Sequence, residues 1–178
     1  MLSVANLDEI TVNVKDRTVQ VGAGARVSTV LTELAKYGLT LENFSSIQEQ
    51  QIGGWTQVSA HGTGISLPPV DEMIVAMEIA TPTEGLLSFT KDDIDYYKSK
   101  YNSPEINQNP EKVVKLSKDS LFRLCKVGLG CLGVVTKLTL KCIPQLDLVE
   151  HTLIKDRKSI CEGHVKRLQV TLCKSGSL

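Results

Sequence analysis

Apolar–polar alternation in this chain comes in short pairs separated by turns. That spacing restricts the folds it can adopt. Ile10-Thr11-Val12-Asn13-Val14 alternates, Lys15-Asp16-Arg17 follows as a turn, and Thr18-Val19-Gln20-Val21 alternates again, which predicts a β-hairpin. Met73–Ala80 is apolar except for Glu78 and reads as a buried strand. Pro82–Gly85 then turns the chain and Leu86–Phe89 pairs back. Val134, Thr136, Leu138, Leu140 and Cys142 share one face of a further strand, and Leu146–Ile154 reads as another. Leu39-Thr40-Leu41 is a short extended piece, and Pro68-Pro69 enforces an extended link.

Helical spacing is sparser. Ser28 can cap a helix running to Tyr37, with Val30, Leu31, Leu34 and Ala35 on one face and Gly38 at a left-handed C-terminal cap. Ser117 opens a short helix carrying Leu121, Leu124 and Cys125. Ser159–Val170 carries a thin stripe of Ile160, Val165 and Leu168. Strands and helices alternate irregularly, with hairpins among them. The order predicts an α+β fold, a mixed sheet with flanking helices, rather than a doubly wound parallel sheet.

Aromatic residues make up only 4% of the 178 residues, so the core must come from Val, Leu, Ile and Ala. Twenty Lys and Arg balance twenty Asp and Glu, which leaves no field to steer nucleic acid or an anionic membrane. Cys125, Cys131, Cys142, Cys161 and Cys173 are odd in number and none is paired at CxxC spacing. They indicate free thiols, not a disulfide framework or a zinc site. No apolar run reaches the about 18 residues of a membrane span. The opening MLSVANLDEITVNVKD has the character of neither a transit peptide nor a signal peptide. Lys91–Lys112 holds tyrosines, asparagines, prolines and charges without periodicity, and reads as a long surface loop.

Two glycine clusters carry the chemistry. The first is Gly53-Gly54 followed by His61-Gly62-Thr63-Gly64. Glycines there allow backbone to approach a ligand, and free N–H groups can hold a pyrophosphate. Plain turns and a structural histidine explain the same residues, and both readings stand at this point. The second cluster, Gly128-Leu129-Gly130-Cys131-Leu132-Gly133, has GxGxxG spacing. It lies between a helix and the strand that follows, the reverse of the order a Rossmann nucleotide site needs.

The run LENFSSIQEQQIGGWTQVSAHGTG, Leu41 to Gly64, resembles the flavin-binding stretch of the aldonolactone oxidoreductases, flavoproteins of the vanillyl-alcohol-oxidase (PCMH) type. Leu67-Pro68-Pro69-Val70-Asp71-Glu72, Gly128 to Leu140 and Val149-Glu150-His151-Thr152 are similar to later segments of that family. The resemblance runs from about Val12 to about His164, interrupted at Lys91–Lys112, and is closest to the plant-type galactonolactone branch.

That resemblance implies the second part of a two-part FAD-binding module, occupying residues 1–155 with an insertion at 91–112, then a C-terminal helix and tail at 156–178. It implies that Ser46, Gln50, Gly53, Gly54, His61, Gly62, Thr63 and Gly64 lie along the flavin and its pyrophosphate. Gly128, Gly130, Gly133, Val134 and Val135 would meet the adenosine half. Ser45 stands at a position held to gate oxygen access to the flavin. No catalytic residue and no metal ligand is indicated, and His151 and His164 read as structural.

Departures from the family pattern shape the functional expectation. Met1 falls just after the family's pyrophosphate loop, and the chain stops before its substrate cap. Cys131 and Ser59 stand where the family has glycines, Val127 stands for a cysteine, and 91–112 is longer than the family's connection. FAD is therefore expected to bind weakly or not at all. The preferred expectation is a non-catalytic accessory or assembly subunit of a mitochondrial complex, with respiratory complex I the leading candidate. Tyr96, Tyr97 and Tyr101 beside Lys98 and Lys100 suit a contact loop in such an assembly. The alternative is half, or a part, of an active FAD-dependent aldonolactone oxidoreductase.

Overall fold

A computed structural model describes residues 2–64, 66–82, 85–90, 118–150 and 152–164, with backbone alone at 118–121, 162 and 164. Two compact units are distinguished, Met1–Gln145 and Leu146–Leu178. The expectations for Lys91–Lys112, Ser117, His151, Val165 and Leu168 lie outside the described residues.

In the first unit the hairpin forms as predicted: β1 (Ile10–Asn13) pairs antiparallel with β2 (Thr18–Gly22). The turn is closed by side chains. Asn13 Oδ1 accepts from the Asp16 amide at 3.1 Å, and Asn13 Nδ2 donates to Asp16 Oδ2 at 2.8 Å. α1 (Val27–Ala35) follows, then β3 (Leu39–Thr40) and α2 (Ile52–Gln57). After a 3-10 turn at Val70–Met73 come β4 (Ile74–Thr81) and β5 (Gly85–Thr90), then α3 (Lys118–Lys126), β6 (Val134–Lys141) and β7 (Ile143–Pro144). The main sheet has the order β1-β2-β6-β4-β5, and β3 pairs with β7 in a small second sheet.

The architecture is α+β, with helices packed on one sheet. Where a mixed sheet is expected, every described pairing is antiparallel. β1–β2 and β4–β5 are sequential neighbours, and β6 enters between β2 and β4 opposed to both. Val19, Val21, Met77, Ile79, Phe89, Val135, Leu138 and Leu140 are buried, with Trp55 of α2 and Phe122 of α3 among them in the core. The Phe89 and Phe122 rings stack at 5.9 Å.

Two register shifts alter the faces that alternation assigns. Ile74 pairs with Leu140 but Ala76 with Thr139; further along, Glu78 pairs with Lys137 but Ile79 with Val135. Each shift inserts an unpaired residue, Val75 on β4 and Thr136 on β6, and reverses the facing beyond it. Val135 is therefore buried and Val134 exposed, against the expectation that Val134 and Thr136 share a face with Leu138.

Three further expectations are corrected. α1 begins at Val27 with Arg26 at its N-cap position, so Ser28 lies inside the helix and caps nothing. Carbonyls of the neighbouring segment take that role: Val27 N–H donates to Gln50 O at 3.0 Å and Ser28 N–H to Gln48 O at 2.9 Å. Val27 joins Val30 and Leu34 on the buried face, and Ala35 is exposed. On α3 the buried side chains are Phe122 and Cys125, while Leu124 is exposed.

In the second unit, residues 146–150 and 152–154 form no strand. The alternation there finds no partner strand among the described residues. Asp156 caps a short α4 (Arg157–Ser159), its Oδ1 accepting from the Ser159 amide at 2.8 Å, and a π-helical turn follows at Ile160–His164. Among the described residues, no helix is long and apolar enough to cross a membrane.

Candidate functional site

α2 is the element that sequence periodicity missed, because its IGGWTQ run carries two glycines and little amphipathic pattern. Its first turn is tied down by backbone: Ile52 N–H donates to Ala25 O and Gly53 N–H to Ala23 O, each at 2.8 Å. A Cβ on Gly53 would sit 2.8 Å from Ala23 Cβ, so only glycine permits this approach. The Gly53 amide is thus engaged within the chain. Gly54 differs, because a Cβ there meets nothing within 4 Å.

At the other end of α2, Gln57 reaches across to the second glycine cluster. Its side chain is buried, and its Nε2 donates to Cys125 O at 2.6 Å at the end of α3. Its Oε1 accepts a long hydrogen bond, 3.5 Å, from the Gly130 amide, and its main-chain carbonyl accepts from Leu129 N–H at 3.3 Å. A Cβ on Gly128 would come 2.9 Å from that same Oε1, so a side chain there must displace the Gln57 amide. Gly130 holds φ +74°, and a Cβ on Gly133 would strike the carbonyl oxygen of Ala80. The turn is therefore shaped by its glycines and anchored by Gln57.

Between these two anchored segments lies a cleft of about 420 Å³. α2 contributes Gly53, Gly54 and Gln57, with Val58 just beyond it; the turn and β6 contribute Leu129, Gly130, Gly133, Val134 and Val135; Val4 completes the lining. Among the described residues, none that lines the cleft is charged. The walls are backbone, small residues and valines, suited to a flat, uncharged, partly aromatic group.

Of the residues singled out from the sequence, the structure brings Gly53, Gly54, Gly130, Gly133, Val134 and Val135 to one cleft. Gly128 stands behind it against Gln57. The others are placed elsewhere. Ser45 Oγ donates to Gln50 Oε1 at 3.0 Å and accepts from Trp55 Nε1 at 3.3 Å, forming a network that fixes the loop before α2. Ser46 is exposed. Gly62 N–H donates to Asn43 Oδ1 at 3.0 Å, and Asn43 Nδ2 donates to Pro68 O at 2.9 Å. His61, Thr63 and Gly64 are exposed, and His61 Nδ1 lies 2.8 Å from the neighbouring Gly62 carbonyl.

Cys131 stands where the resemblance implies glycine. Its side chain is exposed and outside the cleft lining, and its amide closes the turn onto Gly128 O at 2.9 Å. Burial pushes the Cys125 thiol up and the Cys142 thiol up to about 11, so these two are inert core residues. Sequence reasoning missed Gln57 and Asn43. Both act across long chain separations, and no local pattern announces that.

A family model described as "FAD binding domain" matches residues 1–90. The mitochondrial L-galactono-1,4-lactone dehydrogenase of Brassica oleracea is 40% identical over 169 residues, covering 94% of this chain and 24% of that protein. L-gulonolactone oxidase of Bos taurus is 26% identical over 161 residues, covering 89% and 31%. This chain spans about a quarter of the length of the plant relatives it matches. Among solved structures, cholesterol oxidase from Brevibacterium sterolicum aligns with TM-score 0.56 at 21% identity, covering 80% of this chain and 24% of that one. 6-Hydroxy-D-nicotine oxidase from Arthrobacter nicotinovorans aligns with TM-score 0.58 at 15% identity, covering 78% and 25%. By that family match the chain belongs to the FAD binding domain family, and it is homologous to the FAD-binding domains of the aldonolactone oxidoreductases.

Proposed function

We propose that the chain supplies part of the FAD site of an aldonolactone oxidoreductase, and that the cleft between α2 and the Gly128–Gly133 turn takes the adenosine half of the cofactor. The observation that carries this is the convergence of Gly54 and Gly130, far apart in sequence, on one uncharged cleft. Adenine and ribose fit such walls: apolar side chains meet the ring, and bare glycine backbone admits close approach. The pyrophosphate fits the lining less well, since no cationic side chain faces the cleft among the described residues. FAD, when bound, supplies the hydride acceptor for lactone oxidation. The chain's own residues bind and orient it. Among the described cleft residues there is no group able to move a proton. Binding to this chain is weak in this reading, with a Kd on the order of 10 μM or above, because no described lining residue meets the charged centre of the cofactor. Equilibrium dialysis of FAD against the purified chain tests this. Saturable binding that adenosine monophosphate competes away supports the reading, and binding that riboflavin alone competes for contradicts it.

A second reading concerns partners. Leu148 and Ile154 are 90% and 98% exposed in the second unit, and Leu146, Val149 and Leu153 are exposed beside them. Apolar side chains so grouped favour a protein partner. With the plant relatives named mitochondrial, this supports a mitochondrial location and a place in a larger assembly, respiratory complex I being the candidate the resemblance suggests. Native electrophoresis of mitochondrial membranes tests it. Co-migration with a large complex supports the assembly, and recovery only at low mass overturns it.

A further inference from the structure

We infer that Gln57 is the positioning residue of the proposed adenosine cleft, setting the distance between its two walls; this rests on the functional reading above. The side chain is only 8% exposed, yet it borders the cleft and belongs to both walls at once. It starts on α2, which carries Gly53 and Gly54. Its amide nitrogen holds the end of α3 through Cys125 O at 2.6 Å, with Lys126 O at 3.4 Å. Its amide oxygen and main-chain carbonyl take the Gly130 and Leu129 amides. These bonds span 68 to 73 residues of chain. Gly128 is bare where a Cβ would press on Gln57 Oε1, so that glycine keeps room for the bridge. Planar amide recognition of this kind fixes both distance and orientation, whereas apolar packing fixes only approximate volume.

Asn43 provides the comparison. It is as buried as Gln57 and also staples two backbone segments, Gly62 and Pro68, but it does not line the cleft. Loss of either staple leaves buried or part-buried backbone groups without their partner and lowers stability. Only loss of Gln57 lets the cleft walls drift.

The experiment uses Gln57→Met, Gly128→Ala and Asn43→Leu in the 178-residue chain. Gln57→Met keeps the length and drops the bridge. Gly128→Ala displaces the bridge without changing Gln57, and covers the case in which Gln57→Met fails to fold. FAD affinity is measured by equilibrium dialysis. Amide hydrogen exchange at Leu129 and Gly130 is followed in the cofactor-free protein. We expect faster exchange at both amides and about a tenfold loss of FAD affinity in the two bridge variants. Asn43→Leu, equally destabilised, should hold its affinity within about twofold. Unchanged affinity or unchanged exchange in the bridge variants overturns the inference, as does an equal loss in Asn43→Leu. Wild-type chain that takes up no FAD overturns the functional reading itself, a separate arm from the exchange data.

Discussion

Ser59 donates from its hydroxyl to Asp71 Oδ1 at 2.6 Å while its backbone sits at φ +51°. The resemblance implies glycine at this position, and the backbone gives a physical reason for one: L side chains are strained there. The hydrogen bond to a carboxylate offsets that strain and ties the end of α2 to the turn before β4. Ser59→Ala keeps the strain and loses the bond, and should lower stability by about 2 kcal/mol. Ser59→Gly loses the bond but relieves the strain, and should stay within about 1 kcal/mol of the native chain. Urea denaturation of the three proteins checks the order; a Gly variant less stable than the Ala variant would contradict it.

Gly133 and Gly130 both have positive φ, but only Gly133 faces an obstacle. Its Cβ would strike the Ala80 carbonyl, whereas a Cβ on Gly130 meets nothing within 4 Å. Gly133→Ala should therefore cost about 3 kcal/mol or more, and Gly130→Ala about 1 kcal/mol. Thermal unfolding of the two variants distinguishes them.

Burial raises the Cys142 thiol from 9.0 to about 11. A folded-state value above the unfolded one means the contribution is fully present below pH 9 and is lost as pH rises toward 11. The loss across that window should be on the order of 1 kcal/mol from this residue. Under reducing conditions, the drop in urea-derived stability between about pH 8.5 and about pH 10.5 should be smaller in Cys142→Ala than in the native chain. An equal drop in both would contradict the assignment.

Cys131 is exposed and outside the cleft. Cys131→Gly should leave FAD affinity within about twofold of the native value. An improvement of about tenfold would contradict this placement and show that the Cys131 side chain crowds the site.

How much was legible beforehand follows from physical range. The β1–β2 hairpin, the β4–β5 return and β6 announce themselves by alternation, because period-two patterning is local. The register shifts at Val75 and Thr136 do not, since a bulge depends on what the neighbouring strand offers, and so the facing of Val134 was misassigned. Ser28 looked like a cap because its type favours one, but the carbonyls of Gln48 and Gln50 already satisfy the amides of the first turn. Residues 146–150 and 152–154 have the composition of a strand but no pairing edge among the described residues. The glycines of the site were visible as glycines. The amide of Gln57, which determines how they meet, acts over 68 residues and leaves no periodic trace.

Gly54 allows the most direct test of the cleft. It opens on free space, so Gly54→Leu should fold with near-native stability while its side chain fills the volume assigned to adenosine. FAD is titrated into the native chain and into Gly54→Leu by isothermal calorimetry, with unfolding midpoints recorded in parallel. The account predicts saturable binding to the native chain at about 10 μM or weaker, and at least a tenfold loss in a Gly54→Leu variant whose midpoint is unchanged. Equal FAD affinity in the two proteins, or no saturable binding to the native chain at all, would contradict it.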